Sequence, residues 1–166
     1  MRKLLIGCFF GIVVLFLAAC GDSSAPSEAE QALQRKADLY EIDQIEKRFH
    51  EAITLKDIDQ MMSLYAPSAT MTAGELTSTG IDEIREYWLQ KSVLFDPANL
   101  WVSDHPAYKM EMTVNGDRGT LHFECHFVDT QTSEVAVATV ADLDVARING
   151  RWLITNLLGG STTLTP

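Results

Sequence analysis

From Leu39 to Ile53 apolar residues recur at three- and four-residue spacing (Leu39, Ile42, Ile45, Phe49, Ala52, Ile53), which predicts an amphipathic helix over 38–55. Asp57 is placed to cap a second helix, and Gln60, three residues on, completes a capping box. Met61, Met62, Leu64 and Tyr65 give that helix its apolar face, and Pro67 ends it. A short extended piece, 69–72, follows. Gly80 then precedes a third helix whose buried stripe is Ile81, Ile84, Tyr87, Trp88 and Leu89. Beyond Leu100 the pattern turns to strands: 101–103, 107–114, 120–129, 134–148 and 151–158, with Asn115-Gly116 and Asn149-Gly150 as hairpin turns. Three helices ahead of a long meander is an α+β pattern, in which helices cover one face of a curved antiparallel β-sheet.

The first twenty residues follow another rule. Arg2 and Lys3 precede 17 residues, Leu4 to Cys20, that are all apolar, Gly or Cys, and the run ends Leu17-Ala18-Ala19-Cys20. A bilayer-spanning helix needs ~20 apolar residues, so this run suits the h-region of an export signal. The ending resembles the lipobox of bacterial lipoproteins. That resemblance implies cleavage after residue 19, a lipidated Cys20 and a protein held on a membrane of the bacterial cell envelope. With Gly21 after the cysteine, the outer membrane is open to it if the host has two. Several acyl chains, at ~0.8 kcal/mol per buried methylene, anchor stably where one does not. Residues 20–36 then read as the lipidated cysteine and a polar, flexible tether whose second half could extend the first helix, 37–160 as one domain and 161–166 as a tail.

Loss of the leader removes Arg2 and Lys3 and takes the formal net charge from −10 to −12. Such a polyanion repels phosphate backbones, so nucleic acid is excluded as an expected partner. Cys8 leaves with the leader and Cys20 carries lipid, so Cys125 is the one remaining thiol. It can form no internal disulfide, and with no adjacent cation in sequence it reads as an inert core residue. No Gly-rich phosphate loop is present, and no cofactor is expected. His122-x-Glu124-x-His126 looks metal-like, but its outer histidines lie ~13 Å apart along a strand, too far to share one ion, so no metal is expected.

Three strings, "KDIDQMMSLYAPSATM", "TGIDEIREYWLQ" and "DVARINGRWLITNLL", resemble in order and spacing the SnoaL-like branch of the nuclear transport factor 2-like superfamily. The resemblance implies a cone: a bent sheet wrapped on helices around a pocket, with a homodimer formed through the sheet. Members include polyketide cyclases, ketosteroid isomerases and dehydratases, and also non-catalytic binding or assembly domains, so fold does not settle function. Against the ketosteroid isomerases, the position of the general-base aspartate falls on Ala73, with Glu75 two residues on. The oxyanion-hole tyrosine falls on Phe49, and only the oxyanion-hole acid is retained, as Asp144. Isomerisation by the usual residues is not expected.

A strand register centred on Gln131-Thr132 would put Leu121, Phe123, Cys125 and Phe127 on one face with Ala136, Ala138, Val140, Asp142 and Asp144. The two-residue turn at Asn149-Gly150 adds Leu153, Thr155 and Leu157. This is an apolar wall with two carboxylates at one end, where desolvation and mutual repulsion would raise a pKa. Asp144 and Asp142 are therefore the candidate acid–base or ligand-contacting groups, with His105 of Ser103-Asp104-His105-Pro106 as a candidate base. Tyr65, Trp88, Phe123, Phe127 and Val140 are the candidate ligand-binding residues. The function expected is binding of a small, mostly apolar molecule. The alternatives are an aspartate-dependent cyclase or isomerase, and a dimerising interaction module without ligand.

If Cys20 carries lipid, Cys20→Ser should remove the acyl mass from the purified protein and release it from the membrane fraction. Unchanged membrane retention would eliminate the anchor.

Overall fold

A computed structural model describes residues 25–103 and 107–162 of the 166-residue chain. Helix α1 runs Glu28–Leu55, ten residues earlier than the periodicity predicts. The polar stretch expected as tether is helical from Glu28 for a local reason. Ser27 accepts from the Glu30 amide while the Glu30 carboxylate accepts from the Ser27 amide, and the Glu, Ala, Gln, Leu, Arg and Lys that follow favour helix. This first part of α1 is exposed, so its stability is local rather than tertiary. Helix α2 is one short turn and a half, Ile58–Met62, capped by Asp57 on the Gln60 amide at 2.9 Å. Tyr65 is not on its face. It opens strand β1, Tyr65–Ala73, which passes through Pro67.

Strand β2 (Leu76–Thr79), helix α3 (Gly80–Gln90) and a 3₁₀ turn at Val93–Phe95 come next. Five strands follow: β3 (Trp101–Ser103), β4 (Lys109–Asn115), β5 (Arg118–Asp129), β6 (Val135–Ile148) and β7 (Arg151–Ser161). They form one seven-stranded sheet in the order β2-β1-β7-β6-β5-β3, with β4 also on β5. The sheet is mixed rather than purely antiparallel. The chain passes through α3 before returning, so β1 lies parallel to β7, while the remaining pairs are antiparallel. The architecture is α+β, a curved open sheet closed over by α1 and α3.

Register corrects the expected faces. Val128 pairs with Val135 as the assumed turn requires, but a bulge then admits Ala136 as an extra residue. Beyond it the partners are Phe127↔Val137, Cys125↔Thr139, Phe123↔Ala141 and Leu121↔Leu143. One inserted residue exchanges faces. A second shift between β6 and β7 falls at Thr155, whose hydroxyl donates to the Asp144 carbonyl, and it sets Leu157 beside Leu143. Leu121, Phe123, Cys125 and Phe127 therefore share the inner face with Thr139, Ala141, Leu143 and Val145. Asp142, Asp144 and Val140 alternate to the other side.

The core lies between this inner face and Ile42, Ile45, Phe49, Ala52 and Ile53 of α1, with Ile84 and Trp88 of α3. Phe49 packs edge-on against Phe123 (5.5 Å between centroids) and Trp88 (5.6 Å). At the other end Arg147 ties β6 to α1 by pairing with buried Asp38, reaches Asp117 at 3.1 Å and lies 5.0 Å over the Trp152 ring. Burial would raise the Asp38 carboxyl, but hydrogen bonds from Gln34 and Arg147 outweigh it and hold it below the usual carboxylate range.

Where α1 crosses β5 the chain is held closest at Gly119. A Cβ there would stand 2.5 Å from the Thr113 carbonyl oxygen and 3.1 Å from Ile42 Cδ1. Gly119→Ala should therefore cost about 1–3 kcal/mol in urea denaturation. An unchanged midpoint would mean that α1 is less firmly seated on β5 than this approach requires.

Candidate functional site

Phe49, Phe123, Trp88 and Phe95 fill the deep end of the cone, and the free space lies towards one rim. There α3, the 3₁₀ turn and the inner faces of β1, β6 and β7 enclose a cavity of about 310 Å³. Its floor is Phe49, Trp88, Phe123, Ala141 and Leu157, and its open side has Lys91, Ser92 and Val93. Gly159 and Gly160 on β7 keep one wall free of side chains. The polar groups on the wall are the hydroxyls of Thr139, Tyr87, Ser92 and Ser161 and the single ammonium of Lys91. Burial raises the Tyr87 phenol above its ordinary pKa, so it stays a neutral hydroxyl. Among the described residues no carboxylate and no imidazole lines this cavity.

Of the residues singled out from sequence, Trp88 and Phe123 line the cavity with inward side chains, while Val140, whose side chain alternates outward, borders it on β6 beside Gly159 and Gly160. Phe127 does not: it is fully buried beyond the floor, against His50. Tyr65 is buried too, its hydroxyl 3.7 Å from Met71 Sδ and its pKa driven upward by burial. His105 and Cys20 lie outside the described residues. Asp142 and Asp144 stand on the outer face, for the register reason given above, and cannot serve the cavity. There Asp142 binds His122 Nδ1 at 2.7 Å, and Asp144 accepts from Asn156 Nδ2 at 3.3 Å. His122 also lies 3.4 Å from Glu124, which in turn pairs with Lys109. The hydrogen bond to Asp142 raises the His122 pKa against a smaller effect of burial.

A second polar group lies inside the core, unmarked by any motif. His50 Nδ1 is 2.7 Å from Glu46 Oε1, and His50 Nε2 is 2.9 Å from Cys125 Sγ. Cys125 Sγ is 3.1 Å from Thr139 Oγ1. Glu46, His50 and Cys125 are all buried. Burial opposes charge on His50, but the contacts with Cys125 and Glu46 outweigh it and push the imidazole up to about 9. Cys125 thus has a cationic neighbour brought by α1 from 75 residues away, which corrects its reading as a thiol with none. The available signal was Glu46-x-x-x-His50, a four-residue spacing that falls inside the stripe of Ile42, Ile45, Phe49 and Ile53. Thr139 alone in this chain of contacts also lines the cavity.

With this geometry in view, a family model described as a SnoaL-like domain matches residues 34–157. Among solved structures, a nuclear transport factor 2-like protein from Pseudomonas putida has TM-score 0.67 at 16% identity, covering 78% of this chain and 90% of its own. A cystatin-like fold protein from Nostoc punctiforme has TM-score 0.65 at 17% identity, covering 78% and 95%. The hexachlorocyclohexane dehydrochlorinase of Novosphingobium barchaimii has TM-score 0.64 at 17% identity, covering 81% and 93%. At these identities the likeness is one of fold. No curated protein matches the chain in sequence.

The buried Glu46–His50 pair has a pH signature. A histidine raised on folding contributes stability fully below its unfolded value of ~6.5, and that contribution is lost as pH rises through about 9. His50→Gln removes one partner of this buried pair and should cost about 3–5 kcal/mol at pH 6 in urea denaturation. The gap from the unaltered chain should narrow between pH 7 and 10. A gap that stays constant would mean that His50 is neutral in the folded state.

Proposed function

The chain belongs to the SnoaL-like domain family, and on that premise we propose that it is a binding protein for a small, mostly apolar molecule. The ligand occupies the cavity between α3 and the β6–β7 wall, and the domain is held at a bacterial cell-envelope membrane by lipid on Cys20. One observation carries the binding reading: the wall is apolar with a few hydroxyls and one ammonium, and among the described residues no acid or imidazole lines it. Such a lining rewards removal of apolar surface from water at ~25 cal/mol per Å². A built apolar cavity with a few converging polar groups is the usual form of a small-ligand site. The tether rests on the leader and the Leu17-Ala18-Ala19-Cys20 ending. Among the described residues no helix is long and apolar enough to cross a membrane.

A second reading, a proton-transferring enzyme, is favoured by the run Glu46–His50–Cys125–Thr139, which ends on the cavity wall. In that case His50 supplies or takes the proton through Cys125 and Thr139. Two hydrogen-bonded steps then separate the imidazole from any ligand, which makes binding the stronger reading.

Trp88 provides an optical test, because it lines the cavity and transfers energy only to a nearby acceptor. Titration of 1-aminonaphthalene into the full-length chain in nanodiscs should give saturable emission excited through tryptophan, with a Kd on the order of 10–100 µM for a ligand this small. Val137→Trp, which plugs the half-buried rim, should abolish saturation with the circular dichroism unchanged. Non-saturable emission in the unaltered chain would refute binding and leave a ligand-free interaction module. If His50→Gln binds the probe normally but loses a turnover that the unaltered chain possesses, the enzyme reading replaces the binding one.

A further inference from the structure

We infer that the ligand is a small amphiphilic anion, a monocarboxylate with a medium-length alkyl or single-ring body, whose head group is received by Lys91. This rests on the cavity being a binding site. Lys91 is the C-cap of α3, its amide bonded to the Tyr87 carbonyl at 2.9 Å, so the backbone that carries it is fixed at the open side of the cavity. It is the one charged residue among those that line the wall.

Elsewhere Lys47 pairs with Asp43 at 2.6 Å, Arg85 with Asp59 at 2.9 Å, Lys109 with Glu124 at 3.4 Å and Arg147 with Asp38 and Asp117. Among the described residues no carboxylate lies within ion-pair distance of Lys91, so none of them neutralises the ammonium at the cavity wall.

The polar groups beside it fit the same head group. The Ser92 and Tyr87 hydroxyls share this side of the cavity, and both can donate to a carboxylate. A cationic ligand would meet an ammonium and no counter-charge, so that class is disfavoured. The body of the ligand meets Trp88, Phe123, Ala141 and Leu157. Size sets the rest. About 310 Å³ is the space of roughly ten waters at ~30 Å³ each, which suits a molecule of about ten non-hydrogen atoms.

Octanoate and octanamide match that size and differ in the head group, a charged carboxylate against a neutral amide. Calorimetric titration of the full-length chain in nanodiscs, with empty nanodiscs as blank, should give octanoate at least a threefold lower Kd than octanamide. Lys91→Met should erase the preference by weakening octanoate more than octanamide, and Lys91→Arg should keep it. Equal affinity for the two probes in the unaltered chain overturns the anionic ligand and leaves the cavity as a neutral site. A preference that survives Lys91→Met likewise overturns the assignment to Lys91. Absence of saturable heat from both probes removes the binding reading together with this one.

Discussion

The two register shifts that flank β6 govern what the inside of this cone contains. Side chains on a strand alternate, so the insertion of Ala136 after the first β5–β6 pair turns Thr139, Ala141, Leu143 and Val145 inward and sends Asp142 and Asp144 out. The second shift, at Thr155, re-aligns β7 so that Leu157 meets Leu143 from the same side. Without the first shift, the concave face would mix carboxylates with Phe123 and Phe127, and each would need a counter-charge inside the core. Small Ala141 and the side-chain-free Gly159 and Gly160 then follow as the positions where the wall recedes and a cavity can persist at the rim.

That same inner face accommodates one costly element. A glutamate, a histidine and a cysteine together in a core otherwise built of Ile, Phe, Leu and Trp carry a desolvation penalty that apolar residues of the same volume would avoid. The pair Glu46–His50 meets part of that penalty within α1, because a four-residue spacing stacks the two side chains on one face before any tertiary contact forms. Cys125 and Thr139 extend the hydrogen bonding across β5 and β6 towards the cavity. The polar run and the cavity are therefore neighbours separated by the Thr139 side chain, and any change in the protonation of His50 is felt first at that wall.

Much of the fold was legible in the residues. Apolar spacing located α1 and α3, Asp57 capped α2, and Asn149-Gly150 turned β6 into β7, since these are local signals with one physical cause each. The start of α1 was obscured because exposed Glu, Gln and Lys suit a tether and a solvated helix alike, and only the Ser27–Glu30 box separates them. The site was far less legible. Trp88 and Phe123 were recoverable as apolar positions on the right faces. Asp142 and Asp144 were not, because a bulge leaves almost no mark in sequence and one residue of slip moves every carboxylate beyond it to the opposite face. Lys91 carried no signal at all: a lysine after a helix is ordinary until the strands opposite are known to present only apolar atoms and hydroxyls.

The division between deep and shallow parts of the cone bears on function more than any single residue does. Phe49, Phe123, Trp88 and Phe95 pack together at the closed end of the core. A ring that packs edge-on against two others contributes to stability and cannot donate to an oxyanion. Filling the apex pushes the usable space outward to the rim, where the walls are open to solvent and hydroxyls and an ammonium replace buried acids. Acid–base catalysis relies on a water-poor site that magnifies electrostatics, whereas recognition needs only shape, apolar area and a few oriented donors. A cavity lined by apolar atoms, hydroxyls and one ammonium offers shape, apolar area and oriented donors.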